Sequence, residues 1–245
     1  MRLKLSSHAE SFRHKGNRLL GVYAHPVLKK KVPAVLFLHG FPGSEKNVDI
    51  QRALLTEGIA SFALHFAGAW GSGGLYRIST LVGQAQAALR FLAKKKEIDA
   101  ARIGVFGFSM GAWTALHLAA RIKSLKAVAV VAPVGGKEMI APGLKSFVEK
   151  SSQVLNVGST EALYRDFIRT VSAGDPAACV KKANFPVMIV HAKDDEVVPY
   201  AVSEKIRSGR SPRLTFVPSF GGGHSFLDRR PWLTRQVSSW FKKHL

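Results

Sequence analysis

Short apolar runs bounded by turn residues alternate with amphipathic stretches along this chain. The runs that predict buried strands are 34–40, 59–66, 102–106, 127–133, 187–192 and 213–218, and the stretch 18–26 after Gly16-Asn17 predicts the second arm of a hairpin. The stretches with helical spacing are 48–58, 79–96, 112–122, 144–151, 160–171, 201–207 and the C-terminal segment from Pro231. Strands that alternate with helices are typical of a mostly parallel sheet flanked by helices, so the predicted fold class is α/β.

The segment between the predicted strands 127–133 and 187–192 breaks this alternation. Between Pro133 and Pro186 no strand pattern of comparable strength appears, and only helical patterns are found there. A loop of that length without secondary structure is uncommon in a compact domain. We therefore expect one domain over residues 1–245, with a small helical cap or lid inserted at 135–184.

Composition adds an expectation about size and compartment. A chain of 245 residues with 47% hydrophobic content can bury one substantial core. A single cysteine, Cys179, excludes an intramolecular disulfide and favours a reducing compartment. No apolar stretch has the length of a signal peptide or of a membrane span. The expected location is cytoplasmic, without membrane insertion.

The charge is the unusual feature of the composition. The formal net charge is +20, and a field of that sign attracts nucleic acid, anionic lipid and acidic substrates. The basic residues fall in short separate runs, at 28–31, 93–96, 180–182, 228–230 and the C-terminus. Because they form no single stripe, and because no basic motif interleaved with aromatic residues is present, a solvated basic surface is favoured over polyanion binding. No specific nucleic-acid partner is predicted, and the oligomeric state is left open.

Candidate chemistry begins with a serine between two glycines. Gly107-Phe108-Ser109-Met110-Gly111 follows a predicted strand and precedes a predicted helix. This pattern suits a sharp, strained turn that presents a serine hydroxyl at the edge of a sheet. A plain turn serine is the alternative.

A serine nucleophile needs a base and an acid, and each has a candidate at the end of a later strand. Asp194 and Asp195 follow the strand 187–192, and the glycine-flanked His224 follows the strand 213–218. Open α/β sheets place their sites at the carboxyl ends of the strands. The chain order is therefore serine, aspartate, histidine.

Four motifs in this order, "HGFPGS" (39–44), "GFSMG" (107–111), "HAKDDEVVP" (191–199) and "GGGHSF" (221–226), resemble those of the α/β-hydrolase superfamily. The resemblance covers nearly the whole chain. It is to small bacterial esterases, similar to feruloyl or cinnamoyl esterases and dienelactone hydrolases, and to the catalytic domain of prolyl oligopeptidases.

The resemblance implies a role for each candidate residue. Ser109 is implied as the nucleophile, His224 as the base and Asp195 as the acid, because the Asp-x-x-Val-Pro spacing selects Asp195 and leaves Asp194 as the fallback. The backbone N–H groups of Phe41 and Met110 are implied as the oxyanion hole.

The chain departs from the family pattern in the loop after the strand 59–66. His65 and Ala67 stand where an acid and an arginine are usual in these esterases, which leaves the anchoring of this loop open.

Other features receive structural interpretations. His39 and His191 are interpreted as structural residues, and Trp70, Phe41 and Trp113 as possible walls of an acyl pocket. No cluster has the spacing of a metal site, so neither a metal nor a cofactor is predicted.

The predicted function is hydrolysis of small-molecule carboxylic esters through an acyl-enzyme. The alternatives are a peptidase or amidase of the prolyl oligopeptidase type, and a catalytically silent hydrolase fold that binds polyanions through its basic surface.

Overall fold

The computed structural model describes residues 4–209 and 211–245. The eight strands are β1 Leu5–His14, β2 Asn17–Pro26, β3 Val32–Leu38, β4 Ala60–His65, β5 Ile98–Phe108, β6 Ala127–Val131, β7 Val187–Ala192 and β8 Leu214–Ser219. The α-helices are α1 Val48–Thr56, α2 Leu81–Ala93, α3 Met110–Ala119, α4 Leu144–Ser151, α5 Thr160–Ala173, α6 Pro176–Lys182, α7 Tyr200–Arg207 and α8 Arg230–His244. Single 3₁₀ turns lie at 78–80, 137–139, 152–154 and 227–229.

All eight strands form one sheet in the order β1-β2-β4-β3-β5-β6-β7-β8. The six strands from β4 to β8 along this order are parallel, whereas β1 pairs antiparallel with β2 and β2 pairs antiparallel with β4. The predicted α/β class and its mostly parallel sheet are confirmed. The carboxyl ends of the parallel strands consequently share one edge of the sheet, and their amino ends share the opposite edge.

Helices cover both faces of the sheet because the parallel strands are apolar on both sides, and every residue of β6 and β7 is buried. On one face α1 and α8 pack together, with Ile50 and Leu54 against Leu233, Val237 and Phe241. On the other face α2, α3, α6 and α7 contribute to the larger core cluster. Among the helices of the described ranges, none has the length and apolar character needed to cross a membrane.

The segment from 135 to 184 contains one helix that the apolar pattern missed. Besides α4 and α5, it includes α6, whose N-cap Asp175 accepts hydrogen bonds from the backbone of Ala177 and Ala178 at 3.0 and 3.2 Å. The sequence signal was present, because an aspartate followed by proline at the first helical position is a strong helix start.

Candidate active site

Ser109 occupies a strained turn between β5 and α3. Its backbone has φ 55° and ψ −117°, a left-handed region that a residue with a side chain rarely adopts. Its N–H donates to the Val131 carbonyl at 2.9 Å, so the neighbouring strand β6 holds the turn. The turn lies at the carboxyl edge of the sheet, with Ser109 6% exposed.

The two glycines around Ser109 allow helix α3 to approach the sheet. A Cβ on Gly111 would lie 2.0 Å from the Leu38 carbonyl oxygen, and one on Gly107 would lie 2.4 Å from the Gly111 carbonyl oxygen. Both contacts are with backbone, which cannot swing aside as a side chain can. Glycine at both positions is therefore required for the close approach of α3 to β3 and β5.

Gly111→Ala is expected to destabilise the protein by on the order of 3 kcal/mol, because α3 must move away from β3 to accept the methyl group. Gly83→Ala is the matched control: its Cβ would meet nothing closer than the His14 Nε2 at 4.0 Å, and the position is inside α2. Alanine there should stabilise by about 0.5–1 kcal/mol. Urea unfolding of both variants measures the two effects, and equal shifts in one direction would contradict the packing argument.

The structure brings Ser109, His224 and Asp195 into one hydrogen-bonded chain. The Ser109 hydroxyl lies 3.1 Å from His224 Nε2, and His224 Nδ1 lies 2.9 Å from Asp195 Oδ2 and 3.1 Å from Oδ1. With Nδ1 donating to the carboxylate, Nε2 is left as the acceptor for the serine proton. This is the arrangement that a serine nucleophile and its base require.

Asp195 is the most heavily hydrogen-bonded of the three. Its Oδ1 accepts from the backbone N–H groups of Val197 and Val198 at 2.9 and 2.8 Å, and its Oδ2 accepts from His191 as well as His224. Burial by itself raises the pKa of the Asp195 carboxyl, but the hydrogen bonds from His191 and His224 outweigh it and hold that pKa well below its usual value. The carboxylate therefore stays ionised.

His191 is a contact of this site that sequence reasoning missed. The sequence suggested only a structural histidine, and the ring is indeed fully buried, but its Nε2 lies 3.1 Å from Asp195 Oδ2 and 2.9 Å from the Val198 carbonyl. Its Nδ1 lies 2.6 Å from the hydroxyl of buried Ser203. Because both neighbours of Nε2 are acceptors, Nε2 carries the proton and Ser203 donates to Nδ1. The only available signal was the four-residue separation between His191 and Asp195.

The residues on either side of Asp195 hold the loop that carries His224. Asp194 Oδ1 accepts from the Gly223 N–H at 3.1 Å, and Glu196 Oε2 accepts from the His224 N–H at 3.2 Å. Asp194, the fallback acid, thus contacts the backbone of this loop, while Asp195 contacts the imidazole. Each of the three consecutive acids at 194–196 therefore accepts a hydrogen bond from Gly223 or His224.

Phe41 and Met110, the predicted oxyanion donors, both line the cavity that contains Ser109. Among the hydrogen bonds of residues 4–209 and 211–245, none uses the backbone N–H of either residue. Met110 is the first residue of α3, where an N–H has no intrahelical acceptor. Within the described residues, both N–H groups are therefore without a protein acceptor.

His39 explains how the Phe41 N–H is oriented. The His39 Nδ1–H donates to the Gly40 carbonyl at 2.7 Å, and the Phe66 N–H donates to Nε2 at 3.3 Å. Burial lowers the pKa of His39 to about 4, so the ring is neutral, as this pair of bonds requires. The Gly40 carbonyl and the Phe41 N–H belong to one trans peptide and point in opposite directions. Fixing the carbonyl therefore fixes the N–H.

The cavity beside Ser109 has a volume of about 420 Å³ and a largely apolar wall. Its lining includes Phe41 from the loop after β3, Phe147 from α4 and Phe167 from α5, so the helices between 135 and 184 form part of the wall. Of the three aromatic residues suggested as pocket walls, Phe41 lines this cavity. Trp70 instead donates to the Gly43 carbonyl at 2.9 Å on the surface, and buried Trp113 stacks on His117.

The loop after β4, where the acid and arginine usual in similar esterases are missing, is anchored in another way. The Ser72 hydroxyl donates to the His65 carbonyl at 2.7 Å and accepts from the Leu20 N–H at 2.9 Å. The Ala67 N–H donates to Gln84 Oε1 at 2.7 Å. Hydroxyl and amide groups thus hold this loop.

The remaining titratable groups do not assemble into a metal site. Within the described ranges, no group of three or more His, Cys, Asp or Glu side chains has the geometry to hold a metal ion. Burial raises the pKa of Cys179 to about 11, which keeps this thiol protonated and unreactive.

Several solved structures share the fold of this chain. The 2,6-dihydroxy-pseudo-oxynicotine hydrolase superposes with a TM-score of 0.80 at 19% identity, covering 98% of this chain and 68% of that one. Est1E from Butyrivibrio proteoclasticus with bound ferulic acid superposes with a TM-score of 0.76 at 20% identity, covering 96% of this chain and 98% of the esterase. These similarities confirm the α/β-hydrolase fold.

Sequence comparison gives the family. An uncharacterised protein of Mycobacterium tuberculosis is 25% identical over 223 residues, which cover 89% of this chain and 73% of that protein. Residues 57–245, which include the serine, aspartate and histidine described above, match the family model described as the prolyl oligopeptidase family. The chain has the fold of a serine hydrolase and belongs to the prolyl oligopeptidase family.

Proposed function

We propose that this protein hydrolyses carboxylic esters through an acyl-enzyme formed on Ser109. The observation that carries the proposal is the hydrogen-bonded chain from Ser109 through His224 to Asp195 beside an apolar cavity. A serine in that chain has an acceptor for its proton, and the imidazolium that forms has a carboxylate to stabilise it.

The proposed reaction has two steps. Ser109 Oγ attacks the ester carbonyl as its proton passes to His224 Nε2, and the N–H groups of Phe41 and Met110 bind the oxyanion. His224 then returns the proton to the departing alcohol, which leaves an acyl group on Ser109. In the second step, His224 takes a proton from water as the water oxygen attacks this acyl group, and it then gives that proton to Ser109 Oγ as the bond to the acyl group breaks and the carboxylic acid leaves.

The segment 135–184 acts in this proposal as a cap that shapes the acyl site. Support comes from Met139, Leu144, Phe147 and Phe167, all of which line the cavity and lie within the segment. The charged groups in the lining are Glu138 and Glu196. Glu138 is paired with Lys205 at 2.9 Å, so the apolar wall and the Glu196 carboxylate favour uncharged acyl groups over substrates that carry a second carboxylate.

We propose ester rather than peptide hydrolysis because of the size and apolar lining of this cavity. A largely apolar wall suits the acyl group of a small ester, and an esterase of the same fold holds ferulic acid. The family also contains peptidases by its description, so the peptidase alternative needs a direct test.

The test compares two substrate panels, p-nitrophenyl esters of increasing acyl length and aminoacyl or peptidyl p-nitroanilides. Esters should be turned over with a kcat/KM of about 10⁴ M⁻¹s⁻¹ or more, the lower bound for natural enzyme–substrate pairs. Anilides should remain far below it. Anilide turnover at that level, lost in the Ser109→Ala variant, would instead assign a peptidase or amidase.

A further inference from the structure

The basic runs that are scattered along the sequence gather at the amino edge of the sheet. The segments 29–31 and 94–96 directly precede β3 and β5, and the Val32 N–H donates to the Glu97 carbonyl at 2.8 Å, so the two runs are neighbours. Lys29, Lys30 and Lys31 are all exposed. The basic residues form no stripe in the linear sequence because adjacent strands of this sheet are far apart along the chain.

The same edge continues with exposed cations before the next strands. Lys123 and Lys126 precede β6, and Lys181 and Lys182 precede β7. The Lys126 N–H donates to the Ile103 carbonyl at 3.0 Å, which ties the loop before β6 to the middle of β5. Neighbouring strands are spaced by about 4.8 Å, so the cations before β3, β5, β6 and β7 are spread over roughly 14 Å of sheet edge.

Helices add to this edge because each one after a parallel strand runs back towards the amino end. The last turn of α8 carries exposed Lys242 and Lys243, and α7 ends at exposed Arg207. Arg213, just before β8, is also exposed, and its carbonyl accepts from the Val187 N–H at 3.0 Å. We call the whole array the basic edge: 29–31, 94–96, 123–126, 181–182, 207, 213 and 242–243.

Few acids accompany the basic edge. Lys242 pairs with Glu57 at 2.6 Å and Lys95 pairs with Glu10 at 2.5 Å. Asp99 pairs with Arg102, which lies outside the array, at 2.7 Å, and the Glu97 side chain accepts from the Tyr23 hydroxyl at 3.4 Å. Most of the cations are therefore uncompensated. At the carboxyl edge, in contrast, 194–196 are three consecutive acids beside the cavity.

Exposed aliphatic side chains adjoin the basic edge, whereas the aromatic rings beside its cations, Tyr23 and Phe91 below Lys95 and Phe216 below Arg207, are buried or half-buried. Val27 and Leu28 directly precede the lysines at 29–31 and are 45% and 40% exposed, and Leu5, in register with Pro26, is 45% exposed. The exposed aromatic side chains of the described residues are Trp70, Phe147 and Phe220, which follow β4, belong to α4 and follow β8 respectively.

We propose that the basic edge binds an anionic membrane surface, with the active-site cavity at the opposite edge of the sheet facing the water. Lysine ammonium groups attract a layer of anionic headgroups without needing a fixed geometry, and the adjacent valine and leucine enter the interface. Single-stranded nucleic acid is the less favoured partner because its binding surfaces use exposed aromatic rings for base stacking. The proposal is independent of whether the substrate is an ester or an amide.

Co-sedimentation with lipid vesicles tests the proposal. The full chain should bind vesicles that contain phosphatidylserine, release at high salt, and fail to bind pure phosphatidylcholine vesicles. Each lysine near an anionic surface strengthens binding about fivefold, so the variant K29Q/K30Q/K31Q should lose on the order of a hundredfold in affinity. The variant V27S/L28S should also bind more weakly.

The matched control removes three exposed cations away from the basic edge, in the variant K150Q/R165Q/R235Q. Its vesicle affinity should fall much less than that of K29Q/K30Q/K31Q, and thermal melting followed by circular dichroism checks that each variant folds. Equal losses in the two triple variants would overturn the proposal. So would tight binding to tRNA or duplex DNA without binding to phosphatidylserine vesicles, which would assign nucleic acid as the partner.

Discussion

Ser109→Ala is expected to lower kcat for a short-chain p-nitrophenyl ester by about 10⁶-fold, the loss measured when the nucleophile of a serine hydrolase is removed. The hydroxyl is the only group at this position that both attacks the carbonyl and passes a proton to His224 Nε2, 3.1 Å away. Alanine keeps the Cβ, so the strained turn and the helix packing around it are unchanged. The result is measured as initial rates corrected for spontaneous hydrolysis.

The matched control is Ser238→Ala on α8, whose hydroxyl donates to the Arg235 carbonyl of its own helix at 3.4 Å. It should retain the activity of the unmodified chain. A fluorophosphonate probe should label the unmodified chain and the Ser238 variant, and leave Ser109→Ala unlabelled. Hydrolysis by Ser109→Ala at the unmodified rate would remove Ser109 from the mechanism.

Most of the fold was predictable from the sequence because parallel strands in the middle of a sheet have a strong local signal. β6 and β7 are buried on both faces and appear as continuous apolar runs. β1 has no such run, because it is an edge strand with exposed positions along its length. Its length of ten residues follows from pairing with β2, which is information that lies outside its own sequence.

The candidate site was predictable where a motif carries a residue's role, and not where contacts depend on the fold. Ser109, His224 and Asp195 each stand in a short motif at a strand end. The hydrogen bond from His191 to Asp195 depends on the turn that follows β7. The bond that the His224 N–H donates to Glu196 joins residues 28 positions apart. Spacing along the chain does not encode such contacts.

The basic runs illustrate the same limit on the scale of the whole surface. Runs at 29–31 and 181–182 lie 150 positions apart in sequence, yet both precede parallel strands of one sheet. A sheet of parallel strands places every segment of that kind at one edge. Basic residues that are dispersed along an α/β sequence are therefore brought to one edge of the sheet whenever they precede its parallel strands.

Amide substitutions of Asp194 and Glu196, the neighbours of Asp195, test whether Asp195 is the acid of the site. Asp194→Asn and Glu196→Gln keep the oxygen atoms that accept from the Gly223 and His224 N–H groups. Each should therefore reduce kcat by less than about tenfold, the effect of a slightly misplaced loop rather than of a lost proton acceptor. A loss in Asp194→Asn that exceeds the loss in Asp195→Asn would assign Asp194 as the acid.

Asp195→Asn is expected to lower kcat by about 10⁴-fold, as when the aspartate of a serine protease triad becomes an amide. The N–H groups of Val197 and Val198 both donate to Oδ1, so the amide oxygen takes that place and the NH₂ group takes the place of Oδ2. It then faces His224 Nδ1 at 2.9 Å and His191 Nε2 at 3.1 Å. Because two donors cannot face each other, the His224 proton moves to Nε2, where it blocks acceptance of the serine proton. The pH dependence of kcat measures this change of tautomer, since the lost activity should not return at any pH at which the protein is folded.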